Sequence, residues 1–397
     1  MTTLSVIIPA YNEETAISSI IERVLALRNE LRNHVISNIE LIVVNDGSMD
    51  ATMTIAAGYH DIVLINHEMN EGYGAALKSG FRRARGELLS FIDADGTYPP
   101  ELLLDFCRTL LAEDADIVLG SRFAGKQSKM PKVRYIGNTF FAKLLSWIGG
   151  QKVSDAASGM RVFKKNILPQ LYPLPDGLDF TPAMSTRAIH EGLRILEVPM
   201  PYHERVGRSK LSVVRDGLRF LRSIVSTTLL YNPLKFFGIV GLFMMLGGLL
   251  IGIQPFIYFL LNRQVPDYFI YRLFVVLILF VAGTNITSFG VLSNYTISIW
   301  HKRSPYYGRL ERIIYNRYTY SYLDTAGLLL IIAGVALNIP SIYHYLTVRQ
   351  VPVHWLYLFT GVTLILVGLQ LFTSSIMMKI LAALNEREAK IQKDMFR

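Results

Sequence analysis

The sequence predicts an α/β domain built on a mostly parallel, doubly wound sheet, followed by an all-α membrane domain of four transmembrane helices. Two observations predict this architecture. Short β-branched runs alternate with helical patterns over residues 1–232, and four long apolar stretches follow residue 233. A third observation, the polar residues that follow several strands, predicts where a ligand binds.

Six apolar runs predict the strands of the first domain, and the segments between them have helical periodicity. The strands are predicted at 4–9, 39–45, 61–66, 88–93, 116–120 and 194–202, and the helices at 13–28, 50–59, 73–85, 99–112, 134–149 and 180–192. This alternation predicts a parallel sheet with helices on both faces. Ligands in such sheets bind beyond the carboxyl ends of the strands.

Acidic residues lie at the ends of three of these strands: Glu13 after the first, Asp46 after the second, and Asp93 with Asp95 at the end of the fourth. In a strand that continued through them, Asp93 and Asp95 would share one face. Two such carboxylates suit Mg²⁺ or Mn²⁺, whose remaining ligands are usually substrate phosphates. An Asp-Gly turn without a metal is the alternative at this point. Three acidic strand ends together favour the binding site.

The usual nucleotide-binding loops are absent from the sequence. The glycine-rich segment 72–76 opens a helix, but it has neither a third glycine nor the Lys-Ser/Thr pair of a phosphate loop. A dinucleotide oxidoreductase and a P-loop ATPase are therefore not supported. A diphosphate held by a metal on the Asp93–Asp95 pair remains.

The second half of the chain has the composition of a membrane domain. Hydrophobic residues make up 51% of the chain and the mean hydropathy is +0.32. The four apolar stretches cover about 236–261, 273–299, 325–347 and 355–378, and each exceeds the roughly 20 residues that a helix needs to cross a bilayer. Four transmembrane helices are expected.

The net charge of +9 is a topology signal. Residues 1–232 hold 26 Lys and Arg against 25 Asp and Glu, so the excess lies in 233–397. It is concentrated in the loop 300–324 and in the tail, which predicts that both are cytoplasmic together with the first domain. Binding to nucleic acid is not expected.

No cleavable signal peptide is expected at the N-terminus, and Cys107 is expected to be a buried thiol.

Segment 212–232 is expected to lie at the membrane surface. Arg215, Arg219 and Arg222 share one helical face, and a neighbouring face is apolar. This pattern predicts an interfacial helix whose arginines point toward anionic headgroups or the phosphate of a bound ligand. The predicted domains are thus 1–211, the interfacial segment 212–232, and the membrane domain 233–397.

Six motifs in order resemble a known family over about residues 4–211. Segments 6–14, 43–48, 93–96 and 120–123 are similar to inverting glycosyltransferases of family 2. Segments 155–161 and 197–211 are similar to the dolichol-phosphate mannosyltransferase branch and its bacterial polyprenyl-phosphate relatives. The resemblance implies a GT-A fold and inverting transfer from a nucleotide sugar, of the GDP-mannose or UDP-hexose type, to dolichyl or undecaprenyl phosphate.

The resemblance also implies roles for individual residues. Asp93 and Asp95 would bind the donor diphosphate through Mg²⁺ or Mn²⁺, and Asp95, Asp155 and Arg205 form the expected catalytic set. The base and ribose would lie against Pro9, Tyr11, Glu13 and Asp46. Phosphates of donor or acceptor would be held by Arg122, Ser158, Arg205 and Lys210, with Ser158 and Asp155 beside the reacting centre.

Two residues depart from the family pattern, and both bear on the site. Asn45 stands where the family often has an aspartate, and Thr97 where it often has glutamine. Asn45 leaves Asp46 intact. Thr97 removes an amide near the expected metal site, so the sequence leaves the donor sugar and the metal geometry open.

Other functions fit the sequence less well. A processive polysaccharide synthase of the same superfamily would carry a Gln-x-x-Arg-Trp signature, and the chain has no Arg-Trp pair. A transporter or flippase would be expected to place charged residues inside its spans, but the four stretches hold none before Lys379. A scaffold would not need the acidic and basic motifs. The roles of the third and fourth membrane helices and self-association are left open.

Overall fold

The computed structural model describes residues 2–33, 36–123, 132–149, 151–201, 213–263, 265–300, 317–349 and 355–395. The chain divides into two compact units, Met1–Thr228 and Leu229–Arg397. Of the residues predicted to bind phosphate, Arg205 and Lys210 lie outside the described residues, as does most of the basic loop 300–324.

The described part of the first unit is centred on a seven-stranded sheet. Its strands are β1 (Thr2–Ala10), β2 (Ile36–Asp46), β3 (Val63–His67), β4 (Leu88–Phe91), β5 (Ile117–Ser121), β6 (Arg161–Lys164) and β7 (Ile195–Pro199). Their order across the sheet is β3-β2-β1-β4-β6-β5-β7. Only β6 runs antiparallel to its neighbours. The order reverses at β1, where β2 and β4 flank the first strand, and ligands of such sheets bind at this kind of switch point.

Helices cover both faces of this sheet. They are α1 (Ile17–Ala26), α2 (Thr52–Ala57), α3 (Tyr73–Arg83), α4 (Leu103–Ala112), α5 (Lys132–Gly149), α6 (Leu168–Leu171), α7 (Phe180–His190) and α8 (Val213–Tyr231). Alternation along β1 shows how the sequence produces the two layers. Leu4, Val6 and Ile8 pack in one buried apolar cluster, whereas Ile7 packs in the other, on the opposite face.

Within the residues that the structure describes, the second unit contains four long helices. They are α9 (Pro233–Asn262), α10 (Ile270–Trp300), α11 (Arg317–Val348) and α12 (Trp355–Met395). All four are long and apolar enough to cross a membrane. The pairs α9–α10 and α11–α12 approach closely at glycines: a Cβ on Gly241 would lie 2.5 Å from the Gly283 carbonyl oxygen, and one on Gly327 would lie 2.7 Å from the Gly368 carbonyl oxygen. Small residues permit such close packing between helices in a bilayer.

The predicted fold class is confirmed: a mostly parallel α/β domain precedes four apolar helices. Strand β6, which has only four residues, was not predicted from the sequence. Its signal was weak because Arg161 opens it and Lys164 closes it. Sequence hydropathy does not show that the Arg161 side chain is fully buried and hydrogen-bonded.

Candidate active site

A cavity of about 390 Å³ opens where the carboxyl ends of β1 and β2 and the segment after β4 meet. Its wall contains six residues that the sequence analysis assigned to donor or metal binding: Pro9, Tyr11, Glu13, Asp46, Asp93 and Asp95. These residues come from three separate segments of the chain, and the parallel order of β1, β2 and β4 brings them to one edge of the sheet. Their roles toward a ligand stay predictions.

A turn, rather than strand alternation, brings Asp93 and Asp95 to the same cavity. Strand β4 ends at Phe91, and Asp95 lies in a turn. The Asp95 Oδ1 accepts hydrogen bonds from the Thr97 backbone nitrogen at 3.1 Å and from the Thr97 hydroxyl at 2.6 Å. The expectation that β4 continues through Asp93 was therefore wrong. The structure also gives Thr97, which departs from the family pattern, a physical role, because its hydroxyl orients the Asp95 carboxylate.

Asp93 is held by two residues that the sequence analysis did not select for the site. The Tyr73 hydroxyl donates to Asp93 Oδ1 at 2.7 Å. Burial, and then the negative charge of Asp93, raises the pKa of Tyr73 well above its usual range, so the phenol remains a donor at neutral pH. A Cβ on Gly159 would lie 2.2 Å from Asp93 Oδ2. Only glycine leaves room for the carboxylate at this point.

Asp46 anchors the loop between β3 and α3. Its carboxylate accepts hydrogen bonds from the backbone nitrogens of Glu71 and Gly72, each at 2.9 Å. His67 Nδ1 lies 2.8 Å from Asp46 Oδ1, and His67 Nε2 lies 2.9 Å from the Ser79 hydroxyl. Tyr73 directly follows this loop. The carboxylate thus fixes the backbone that carries Tyr73 toward Asp93, in addition to lining the cavity.

Arg122 and Asp155 form a buried ion pair. Arg122 Nε and one terminal nitrogen donate to the two Asp155 carboxylate oxygens at 2.6 and 2.7 Å. Asp155 is completely buried and Arg122 is 8% exposed. Neither residue is part of the cavity wall, and neither is Ser158, which is fully buried. The predicted roles of these three residues toward phosphate and the reacting centre stay predictions, but the Arg122 guanidinium forms an internal ion pair with Asp155.

Arg161, the last residue of the motif segment 155–161, has a structural role that was not predicted from the sequence. It is completely buried, and its guanidinium donates to the carbonyl oxygens of Ala156 and Ser158 and to the Ser185 hydroxyl. Burial lowers its pKa to about 10, so the guanidinium remains charged at neutral pH. These bonds fix the segment that includes Asp155 and leads to Gly159, which packs against Asp93.

The donor set of the cavity fits a hard divalent cation. Asp93 and Asp95 supply carboxylate oxygens, the ligands that Mg²⁺ and Mn²⁺ prefer. Within the described ranges, no cluster of three or more His, Cys, Asp or Glu side chains could hold a metal ion. A cation at this pair would therefore take further ligands from a bound substrate, as Mg²⁺ usually does from phosphates.

Arg219 of α8 also lines the cavity. From the sequence pattern, its side chain was expected to face lipid headgroups or an acceptor phosphate. It is the basic member of a described wall that otherwise carries the carboxylates of Glu13, Asp46, Asp93 and Asp95. The Asp216 carboxylate lies 3.6 Å from the Arg219 guanidinium. Sequence periodicity could place Arg219 on a helix face, but not in the wall of this cavity.

Comparison with known proteins identifies similar families for both parts of the chain. The model of Glycosyl transferase family 2 matches residues 5–171, and the model of Domain of unknown function (DUF8752) matches residues 233–392. The crystal structure of M. tuberculosis glucosyl-3-phosphoglycerate synthase is similar over 57% of this chain and 81% of its own, at 21% identity and a TM-score of 0.47.

Similar proteins from Haloferax volcanii include a hexosyltransferase and a hexose transferase. Low-salt glycan biosynthesis hexosyltransferase Agl6 is 36% identical over 223 residues, which are 55% of this chain and 52% of the relative, so the chain spans about half that relative's length. Dolichyl-phosphate hexose transferase is 31% identical over 229 residues, which are 57% of this chain and 94% of the relative. The match covers nearly all of this second relative, and the family model matches the part of the chain that forms most of the sheet and the cavity. This chain therefore belongs to glycosyl transferase family 2.

Proposed function

We propose that this glycosyltransferase transfers a sugar from a nucleotide diphosphate sugar to a polyisoprenyl phosphate, with inversion at the anomeric carbon. The observation that carries the proposal is the convergence of Asp93 and Asp95 with the ends of β1 and β2 on one cavity. The name of the second relative, a dolichyl-phosphate hexose transferase, supports the choice of acceptor.

The proposed reaction is a single displacement. A phosphate oxygen of the acceptor attacks the anomeric carbon, the bond from that carbon to the nucleotide's diphosphate breaks, and the nucleoside diphosphate leaves with both electrons. A phosphate monoester has a second pKa near ~6, so the acceptor is largely ionised at neutral pH. It therefore needs little general-base help, and the protein's task is to position two anions and to stabilise the leaving diphosphate.

Asp93 and Asp95 would hold the divalent cation in this proposal. When bound, Mg²⁺ or Mn²⁺ supplies positive charge to the leaving diphosphate. Pro9, Tyr11, Glu13 and Asp46 remain the proposed contacts of base and ribose. Arg205 and Lys210 remain proposed phosphate ligands. Asp155, held by Arg122, is proposed to border the reacting centre, with its orientation set by that pair.

We place the catalytic unit on the cytoplasmic side of the membrane, on the basis of the basic loop and tail. Cys107, the chain's one cysteine, allows a clean test because it is buried and burial raises its thiol pKa to about 12. It should not react with a maleimide in the folded protein.

Cysteines introduced at two exposed positions should therefore report the topology. Both native side chains, Tyr268 between α9 and α10 and Lys390 in α12, are exposed. A membrane-impermeant maleimide should label Tyr268→Cys in intact cells. It should label Lys390→Cys only after the cells are permeabilised. Unmutated protein is the control for background. The opposite labelling pattern would contradict the cytoplasmic placement.

The proposed activity is tested with a panel of nucleotide sugars. Purified full-length protein with Mn²⁺ or Mg²⁺ and a short polyprenyl phosphate should release nucleoside diphosphate from one donor of the panel. Release should depend on the polyprenyl phosphate and should not occur with the corresponding prenol, which lacks the phosphate. No release from any GDP- or UDP-sugar would contradict the proposal.

A further inference from the structure

A second cavity, of about 650 Å³, adjoins the candidate active site within the first unit. One wall is α8, and the other is formed by α7 and the loop 173–179 that precedes it. The two cavities share two lining residues, Gly177 and Arg219. The second cavity is therefore adjacent to the site that contains Asp93 and Asp95, and Arg219 lies at the junction.

The side chains of this cavity are typical of a site for a phosphate. Three guanidinium groups, those of Arg187, Arg219 and Arg222, line it together with one carboxylate, Asp179. The hydroxyl groups of Ser223 and Thr227 add further hydrogen-bond donors on the α8 side, whereas the Ser226 hydroxyl donates to the Ser223 carbonyl oxygen at 3.1 Å. Guanidinium and hydroxyl groups together form the strong, charge-assisted hydrogen bonds that phosphate oxygens accept. We call this cavity the arginine groove.

Helix α8 has an unusual distribution of polarity that bears on the source of the phosphate. Its buried residues include the polar Asp216, Ser223 and Thr227, whereas Val214 is 74% exposed and Leu218 is 64% exposed. A helix in water normally has the reverse arrangement. In sequence, α8 leads directly into the first apolar helix, which begins at Pro233. These features favour an apolar medium outside α8 and a ligand that carries both a phosphate and an apolar chain.

The charge of the candidate active site also favours a phosphate-binding role for the arginine groove. The wall of the active-site cavity carries four acidic residues. A cation at Asp93 and Asp95 would balance the donor diphosphate, so the negative charge of the acceptor phosphate needs a separate basic partner. Arg122, which was expected to contact phosphate, gives two of its nitrogens to Asp155. Arg219 is the basic residue that the described structure places in the wall itself.

We propose that the arginine groove admits the phosphate of the polyisoprenyl phosphate acceptor, and that Arg219 at the junction binds that phosphate beside the donor. This inference rests on the proposed function, because it assigns the acceptor of the same reaction to a location. Arg222 and Arg187 attract the phosphate along the groove, and the loop 173–179 forms its far wall. The donor and acceptor phosphates would then reach the cavity from different sides.

Binding of farnesyl phosphate to the full-length protein in detergent tests the groove directly. We expect Arg219→Ala to weaken binding by about 10-fold or more, in line with the loss of a charge-assisted hydrogen bond, and Arg222→Ala to weaken it less. Arg108→Ala is the matched control, since it removes an arginine whose side chain is 66% exposed on α4. Farnesol, which has no phosphate, should bind all variants equally.

Two further titrations separate the possible phosphate sources. Inorganic phosphate should bind much more weakly than farnesyl phosphate; equal affinity would overturn the assignment to a lipid-linked phosphate. Nucleoside diphosphate with Mn²⁺ should bind Arg219→Ala and unmutated protein with similar affinity. If Arg219→Ala loses affinity for the nucleoside diphosphate and keeps it for farnesyl phosphate, Arg219 serves the donor and the proposal is wrong.

The groove and the proposed function fail in different ways. If unmutated protein transfers no sugar from any donor, the proposed function fails, whatever the binding results. If it transfers sugar and Arg219→Ala keeps the acceptor KM of unmutated protein, only the groove fails. Arg219→Lys checks that a loss is specific: the retained charge should recover part of the affinity, whereas a general folding defect would not respond to it.

Discussion

Replacing Asp95 by alanine should reduce the single-turnover rate of sugar transfer by about 100-fold or more, because the divalent cation that would stabilise the leaving diphosphate would lose one of its two proposed carboxylate ligands. Asp95 lies in the cavity wall together with Asp93, and its position is set by a local turn. The measurement is single-turnover transfer at saturating Mn²⁺, with the affinity for Mn²⁺ determined in the presence of nucleoside diphosphate. Both quantities should fall together.

Thr97→Val is the matched variant for this experiment. It removes the hydroxyl that donates to Asp95 Oδ1 at 2.6 Å but leaves the carboxylate and the backbone hydrogen bond in place. We expect a loss of about 10-fold, since one orienting hydrogen bond is removed. Undiminished activity in Asp95→Ala would show that the metal binds elsewhere. A larger loss in Thr97→Val than in Asp95→Ala would show that the turn, rather than the carboxylate, is required.

Breaking the Arg122–Asp155 pair should have the largest effect on stability. Asp155→Ala would leave a guanidinium that is only 8% exposed without its carboxylate partner. Removal of one partner from a buried pair typically costs about 3–5 kcal/mol in the free energy of unfolding. For a unit of this size we expect the apparent Tm to fall by on the order of 10 °C.

Cys107 provides the measurement. A thiol-reactive fluorophore added during heating labels this buried cysteine only when the core of the first unit opens. Asp105→Ala, which breaks an exposed pair with Arg108, should shift the labelling temperature little. The double variant Arg122→Met/Asp155→Leu separates stability from chemistry. The double variant should recover stability but remain inactive if Asp155 borders the reacting centre, and recovered activity would contradict that role. Unchanged stability in the single variant Asp155→Ala would contradict a stabilising contribution of the buried pair.

The architecture was predictable because hydrophobic periodicity reports burial. Short apolar runs such as β1 and the long apolar helices gave strong signals, and the strand ends indicated the edge at which Asp46, Asp93 and Asp95 meet. Strand β6 was not predictable in this way. It is short and contains the buried Arg161, whose charge is stabilised by hydrogen bonds to the Ser158 and Ala156 carbonyl oxygens. A hydropathy pattern does not report such hydrogen bonds.

The supporting residues of the site could not be read from the sequence. Tyr73 gave only the signal of a helix start, and its contact with Asp93 depends on the loop that Asp46 fixes. Gly159 appeared as one residue of a motif, and its close approach to Asp93 becomes visible only when β6 is placed beside β4. Arg122 and Arg219 were both expected near phosphate, but tertiary packing gives the first an internal partner and the second a place in the cavity wall.

The most direct test of the account is the chemical identity of the lipid product. We would incubate the full-length protein with the donor selected from the panel, Mn²⁺ and farnesyl phosphate, and follow the phosphorus atoms by ³¹P NMR. The account predicts that the phosphate monoester signal of the acceptor is replaced by a phosphodiester signal, with one nucleoside diphosphate released per diester and with inverted anomeric configuration in the product. Release of nucleoside diphosphate while the acceptor stays a monoester would contradict transfer to the lipid phosphate.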